Sequence, residues 1–367
     1  MHSRAKPIPM AKAATRWTCH SDNYPVASQE QALLSPFVFM CRPLFGGLAL
    51  LILSSHAMAA WHGDTQDIMG TRVSAVLWHD DPLQAEAALA AVMEEMRRID
   101  REFSPYIESS QLSRANQLAP AANAQKPLVI SPELALLIER SLHYGELTGG
   151  AFDITYASLG RYYDYRAKLK PDEAEREAVM PAINYRYVHL DKHSHKLWFE
   201  HPRVYIDLGG IAKGYAVDRA IAILQARGVK HATVSAGGDS RLLGDKRGRP
   251  WVVGIKNPRA EEGVVISLPL ENCAISTSGD YERYFIDEQG ERVHHIMNPR
   301  TGKSARGIMS VTIIGPLGFD TDALSTSVFV MGVEKGLALI EGMPGYDAVV
   351  ITEAGKVHYS KGLTPPE

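Results

Sequence analysis

The sequence predicts an α+β protein, built mostly from antiparallel sheets with helices packed on them. Helical periodicity occurs in separate blocks, and the runs between the blocks are short, alternating and broken by turn residues. Those strand-like runs fall in hairpin-sized groups, whereas a parallel doubly wound sheet needs strands and helices in strict alternation. No G-x-G-x-x-G follows a strand and no G-x-x-x-x-G-K-[ST] occurs, so neither a Rossmann turn nor a P-loop is expected.

The elements follow in order. TRVSAVLW alternates like a half-buried strand. PLQAEAALAAVMEEMRRIDREFS is amphipathic, with Pro82 near its start and basic residues late, which predicts a helix. SPELALLIERSLHYGELTGG is a second helix, capped by Ser131 with Glu133 close behind and stopped at Gly149-Gly150. RYVHLD, KLWFEH and VYIDLGG suggest short strands, and AKGYAVDRAIAILQARG is a third helix ending at Gly228. Strand-like runs then dominate: HATVSAG, RPWVVGIK, VVISLPL, CAISTS, YERYFID and IMSVTIIG. A helix is expected to begin near Asp320, and DAVVITEAG and KVHYS close the chain.

The chain has 367 residues, 45% hydrophobic and 22% charged, enough for one large domain or two smaller ones. Its net charge of -3 argues against a nucleic-acid binder held by phosphate contacts. From Met40 the chain reads MCRPLFGGLALLILSSHAMAAW: one Arg, an apolar core, then Ala57-Met58-Ala59 ahead of Ala60. That is a secretory signal with a small-residue cleavage site, its apolar run too short to span a bilayer as a mature helix.

Residues 1–39 therefore read as an extension upstream of the real start at Met40; the alternative is a genuine long n-region. Residues 40–59 read as the signal peptide and 60–367 as the working domain. The expected location is the periplasm, in soluble form, because no Cys follows the apolar run to carry a lipid anchor. Five Lys or Arg and two Asp or Glu precede Ala60, so the charge of -3 becomes -6 after cleavage. Cleavage also removes Cys19 and Cys41; Cys273, alone in an apolar run, reads as a small buried side chain.

Three stretches carry chemistry. In DTDALSTS, residues 320–327, a helix would set Asp322 and Thr326 on one face at i and i+4. A carboxylate and a hydroxyl there offer two hard oxygens suited to Mg²⁺; the competing reading is a helix cap by Asp320 or Thr321, with Asp322 answering the dipole. VYIDLGGIAKGYAVD runs an apolar segment into Asp207, then Gly209-Gly210, then Lys213 and Gly214 at a helix start. Such a turn admits a ligand close to the backbone and attracts anions; it is equally a tight turn with a surface lysine. In YERYFIDEQGERVHHIMNPRTGKS, His294 and His295 point to opposite faces and Asn298 to Gly302 form a turn. Taken alone the stretch reads first as an ordinary hairpin with one buried His, the competing reading being one structural His and one facing a site.

SPYIESSQLSRAN, GAFDIT, DLGGIAKGYAVD, SAGGDSRLLG, TSGDYERYF, HHIMNPRTG and DALSTS, in that order, resemble the ApbE family, the FAD:protein FMN transferases. The resemblance runs from Met69-Gly70-Thr71 to the last helix. It implies a T-fold-like architecture, and Mg²⁺ held by Asp322, Thr326 and the backbone carbonyl of Gly210. It implies FAD contacts from Met69, Tyr106, Ala151, Phe152, Asp153, Asp207, Lys213 and the backbone near Ile296. His295, Lys213 and Asp322 become the expected catalytic residues, with His295 handling a proton. The implied reaction moves FMN from FAD to a Thr or Ser hydroxyl of an exported protein, such as a subunit of a membrane redox complex, and releases AMP. A metal-dependent FAD pyrophosphatase and a non-catalytic FAD-binding protein are the alternatives. The glycine pairs at 209–210 and 237–238 are expected to leave a groove for the acceptor. Two departures stand out: Asn298 replaces the usual Asp of its turn, though it keeps the turn-forming acceptor, and GAFDITYASLGRYYDY continues differently from the family pattern.

Overall fold

A computed structural model describes residues 17–18, 60–260 and 263–363. The signal segment 40–59, and the 1–39 extension apart from residues 17–18, lie outside the described residues. In chain order the strands and helices are β1 (Trp17–Thr18), β2 (Ala60–Ile68), β3 (Thr71–His79), α1 (Pro82–Phe103), α2 (Gln111–Leu118), β4 (Leu128–Val129) and α3 (Pro132–Leu147). Next come α4 (Ala157–Gly160), α5 (Glu173–Val179), β5 (Val188–Asp191), β6 (Lys196–Phe199), α6 (Ala212–Ala226), β7 (Ala232–Ala236), β8 (Asp239–Leu243), β9 (Trp251–Lys256) and β10 (Val264–Glu271). The chain continues through β11 (Ala274–Gly279), β12 (Tyr284–Ile286), β13 (Arg292–His294), β14 (Met297–Asn298), β15 (Lys303–Ser304) and β16 (Ile308–Gly315). It ends with α7 (Gly318–Met331), α8 (Val333–Glu341), β17 (Asp347–Thr352) and β18 (Val357–Tyr359).

The main sheet has eight strands in the order β18-β17-β16-β11-β8-β7-β3-β2, and every neighbouring pair is antiparallel. Helices α1, α6 and α7 pack on one face, and the β9–β10 hairpin covers part of the other. The alternation of β17 follows from this sandwich: Ala348 and Val350 face the helices, while Val349 and Ile351 join the core under the hairpin. Strand β16 is buried along its whole length for the same reason. A three-stranded sheet, β4-β6-β5, lies outside this layer, and β1 runs parallel beside β10.

Local sequence explains the helices that were legible. In α1, Ala85, Leu89, Val92, Met96, Ile99 and Phe103 are buried at helical spacing, and Asp81 caps the helix by accepting from Leu83 N at 2.8 Å. Ser131 caps α3 by accepting from Leu134 N, and Gly149 and Gly150 leave it at positive φ.

Two expectations fail. VYIDLGG is no strand, although Val204, Ile206 and Leu208 are buried in alternation. Side chains take the place of a ladder partner: Asn116 accepts from Ile206 N and donates to Ile206 O, and Ser158 pairs with the backbone of Tyr205. The last long helix begins at Gly318, near Asp320 as expected, but both Asp320 and Thr321 lie inside it, so the reading of either as its cap fails. Its cap is tertiary: both carboxylate oxygens of Asp218, on α6, accept from Gly318 N and Phe319 N at 2.9 and 2.8 Å. The pattern also gave no notice of β2, α2, β8 and the short strands β14 and β15.

Helices α6 and α7 cross in near-contact at two glycines. A Cβ added to Gly214 would stand 2.0 Å from Gly318 O, and one added to Gly318 would stand 2.6 Å from Gly214 O. Since both obstacles are backbone, Gly214→Ala is expected to force the helices apart and destabilise the protein by about 1–3 kcal/mol, measured by urea unfolding.

Candidate active site

The crossing of α6 and α7 brings the two chemistry-bearing stretches together. Asp322 Oδ2 accepts the N–H of Gly214 at 2.9 Å, in the first turn of α6, where the helix dipole favours a negative charge. Lys213 Nζ lies 2.8 Å from Asp239 Oδ2 and 3.3 Å from Asp322 Oδ2, and it donates to Gly209 O at 3.2 Å. Three acceptors therefore take up one ammonium group. Burial, and then the charge of Asp239, push the Asp322 carboxyl up to about 7, while Lys213 pulls it down.

The oxygen-rich run of α7 is accounted for residue by residue, as a helix buried almost all round requires. Asp320 accepts from Arg140 Nη2 at 2.6 Å and from the Tyr346 hydroxyl at 2.6 Å. Thr321 pairs with Ser276 of β11 at 2.8 Å, and Ser325 pairs with Ser278 at 2.8 Å. Ser327 donates to Ala323 O. Thr326 is the one residue of 320–327 that is not fully buried. Its Oγ1 lies 3.6 Å from where a Cβ on Gly210 would stand, and the Phe152 ring lies 3.2 Å from the same point.

Asp322, Thr326 and the Gly210 turn thus converge, one carboxylate, one hydroxyl and one backbone turn, all hard oxygen donors. A second buried acid, Asp239, shares the single ammonium with Asp322, so the cluster has more acid than base. That excess of negative charge fits a small hard cation.

The remaining expected residues gather less tightly. Met69 and Gly70 form the two-residue turn between β2 and β3 with φ of 56° and 66°, both left-handed, an arrangement a glycine tolerates and a methionine adopts under strain. Tyr106 is 84% exposed, and Asp207 accepts from Gly209 N with its carboxyl raised by burial. The charges of Asp207 and of Arg283 act on Tyr106. Ala151 and Phe152 are buried behind Gly210, and Ile296 is buried with its carbonyl accepting from Ala305 N. Asp153 is turned inward: its oxygens accept from Thr155 N, Thr155 Oγ1 and Tyr185 N, which leaves it shaping a turn instead of facing the cleft.

The two histidines differ in their surroundings. His294 is buried, its Nε2 is 2.8 Å from Ala305 O and its ring packs edge-on against Phe329. His295 is half-buried beyond the end of β13, and its Nδ1 has no partner among the described residues. Burial, then the charges of Arg283, His294 and Lys213, lower its imidazolium to about 3, so the ring is neutral. Asn298 keeps its turn, accepting from Arg300 N at 2.9 Å through its side chain and from Gly302 N through its carbonyl.

Sequence reasoning passed over Asp239, although SAGGDSRLLG was in view. The signal was an acid placed directly after a two-glycine hairpin turn, Ala236 pairing with Asp239. The glycines there serve packing before access. A Cβ on Gly238 would meet Thr277 O at 2.4 Å and one on Gly237 would meet Thr71 Oγ1 at 2.8 Å, so the expected groove is not opened by Gly238. Gly237 does border a polar hollow of about 410 Å³, with Arg72, Ser235, Lys256 and Glu282 on its walls.

A family model described as the ApbE family matches residues 69–350. The chain belongs to the ApbE family of flavin transferases. It is 32% identical over 299 residues to the FAD:protein FMN transferase of Treponema pallidum, covering 76% of this chain and 81% of that one. It is 31% identical over 252 residues to the enzyme of the same name from Vibrio cholerae, covering 67% and 74%. Among solved structures, the ApbE protein of Thermotoga maritima superposes with a TM-score of 0.75 at 35% identity, over 83% of this chain and 98% of that one. The flavin transferase ApbE from Vibrio cholerae gives 0.72 at 27% identity, over 83% and 98%.

His295 provides a stability prediction. A histidine held at about 3 when folded, against 6.5 ordinarily, binds its proton more readily in the unfolded chain. Its contribution is full above pH 6.5 and is lost as pH falls toward 3. Urea unfolding across that window is expected to show stability falling with acidification, and His295→Gln is expected to flatten the fall.

Proposed function

We propose that this enzyme transfers FMN from FAD to a Thr or Ser hydroxyl of an exported protein, leaving a phosphoester-linked flavin and releasing AMP. The observation that carries the reading is the meeting of Asp322, Thr326 and the Gly210 turn beside the Lys213–Asp239 pair. A flavin store has no need of hard oxygen donors and a shared lysine at one point; a reaction at a pyrophosphate does.

The acceptor hydroxyl oxygen forms a bond to the FMN phosphorus, the bond to the bridging oxygen breaks, and AMP leaves with the electron pair. Mg²⁺ would be held by Asp322, Thr326 and the Gly210 carbonyl, and when bound it supplies charge neutralisation at the phosphate oxygens. Lys213, beside both Asp322 and Asp239, opposes the upward push that burial and Asp239 give the Asp322 carboxyl and so favours its ionised form. His295, neutral and with Nδ1 unpartnered among the described residues, or an aspartate of the site would accept the hydroxyl proton. The arrival of an anionic pyrophosphate would make His295 a stronger base, since a nearby negative charge favours the imidazolium. Met69, Tyr106, Ala151, Phe152, Asp207 and the backbone near Ile296 would line the FAD site. The polar hollow beside Gly237 is the approach we favour for the acceptor, which on this reading would be an exported protein such as a subunit of a membrane redox complex.

The deciding experiment measures AMP release with and without a Thr-containing acceptor. Slow release alone, fast release with acceptor, and flavin retained on the acceptor through denaturing electrophoresis are expected; changing the acceptor Thr to Ala should remove it. Equal AMP release without acceptor, all FMN staying free, would establish a pyrophosphatase instead. Asp322→Ala is expected to abolish turnover with the fold kept. A helix-dipole role alone would cost about 0.3–1 kcal/mol of stability and leave activity intact.

The Ala57-x-Ala59 pattern makes Ala60 the expected first residue of the exported product. N-terminal sequencing of periplasmic protein checks this, and a product retaining Trp17 or Cys19 would refute it.

A further inference from the structure

We propose that the Arg283 guanidinium binds the pyrophosphate of FAD; the assignment rests on the flavin-transfer reading and adds to it a residue for the anionic part of the substrate. Arg283 stands between β11 and β12 and is exposed. Among the described residues its guanidinium has neither an ion-pair partner nor a hydrogen-bond acceptor. Its neighbours differ: Arg259 is paired with Asp280, Arg300 donates to Gly149 O and Arg306 is paired with Glu291.

Its location is the cleft. The backbone carbonyl of Arg283 accepts from His295 N at 3.1 Å, so the two residues face each other across the β12–β13 hairpin. Nη2 lies 3.5 Å from where a Cβ on Gly70 would stand, over the Met69-Gly70 turn. Asp207, His295 and the hydroxyls of Tyr106, Tyr156 and Tyr165 all feel its charge.

A counter-ion for Asp207 would be the simpler role. An ion pair within 4.0 Å would then join them, and among the described residues Asp207 has none. Lys213 cannot serve the phosphates freely, because Asp239, Asp322 and Gly209 O already occupy it. Arg283 is therefore a cation at the cleft with donors to spare. Its planar fork matches two phosphate oxygens at once, which a lysine cannot do.

The test is equilibrium titration of the full chain with FAD, FMN, ADP and riboflavin, for the unsubstituted protein and for Arg283→Ala and Arg283→Lys. Loss of charge-assisted hydrogen bonds predicts FAD binding weakened about tenfold or more in Arg283→Ala, and a smaller loss in Arg283→Lys. Riboflavin, which has no phosphate, should bind all three proteins equally. Added salt should weaken FAD binding to the unsubstituted chain more than to Arg283→Ala. Unchanged FAD affinity, or equal losses for FAD and riboflavin as ring stacking would give, overturns the proposal. A rise confined to the KM for the acceptor also overturns it, by moving Arg283 to the protein substrate. Failure of the unsubstituted chain to bind any flavin would overturn the flavin-transfer reading, and the assignment with it.

Discussion

The close crossing of α6 and α7 is the constraint on which the rest of the molecule depends. Two helices ordinarily keep their axes about 8–10 Å apart, a spacing set by the side chains between them. Here Gly214 and Gly318 put backbone against backbone, and each carbonyl occupies space that a methyl group would need. Only at that separation does Asp322 of one helix accept the N–H of Gly214 on the other, while Asp218 returns the favour by capping α7. The site carboxylate and a helix cap are thus two ends of one contact. The main sheet fixes the rest, since the β7–β8 turn delivers Asp239 to the same lysine.

Much of this was legible in the sequence, for identifiable reasons. Helices α1 and α3 carry their caps, periodicity and stops locally, so pattern alone was enough. The same reasoning misread VYIDLGG, because alternation reports which side chains are buried and says nothing about what the backbone bonds to. Asn116 and Ser158, distant in sequence, supply those bonds. The cap of α7 was misread for a related reason. It comes from Asp218, about a hundred residues earlier, and no local signal marks it.

The site was legible in its types and less so in its assignments. Asp322 and Thr326 share a face because helical spacing demands it, and Thr326 alone of that run is not fully buried. Asp153 sits in a motif suited to a ligand, yet its carboxylate is spent on Thr155 and Tyr185. Asp239 was hidden for the opposite reason: its role depends on a hairpin register and on a lysine from another element. Residue type suggests what a group can do. Only tertiary contacts reveal which of its bonds are already taken.

The order of the main sheet has one further consequence. From one edge to the other its strands are β2, β3, β7, β8, β11, β16, β17 and β18, which is also their order along the chain. Whatever lies between them is set aside into helices and smaller sheets, and no later strand has to be inserted between two that are already paired. A polypeptide emerging amino end first could therefore lay down this sheet one edge at a time, each new strand finding its partner already waiting. For a chain threaded through a narrow pore, such a vectorial assembly would keep the longest unpaired edge short-lived at every stage.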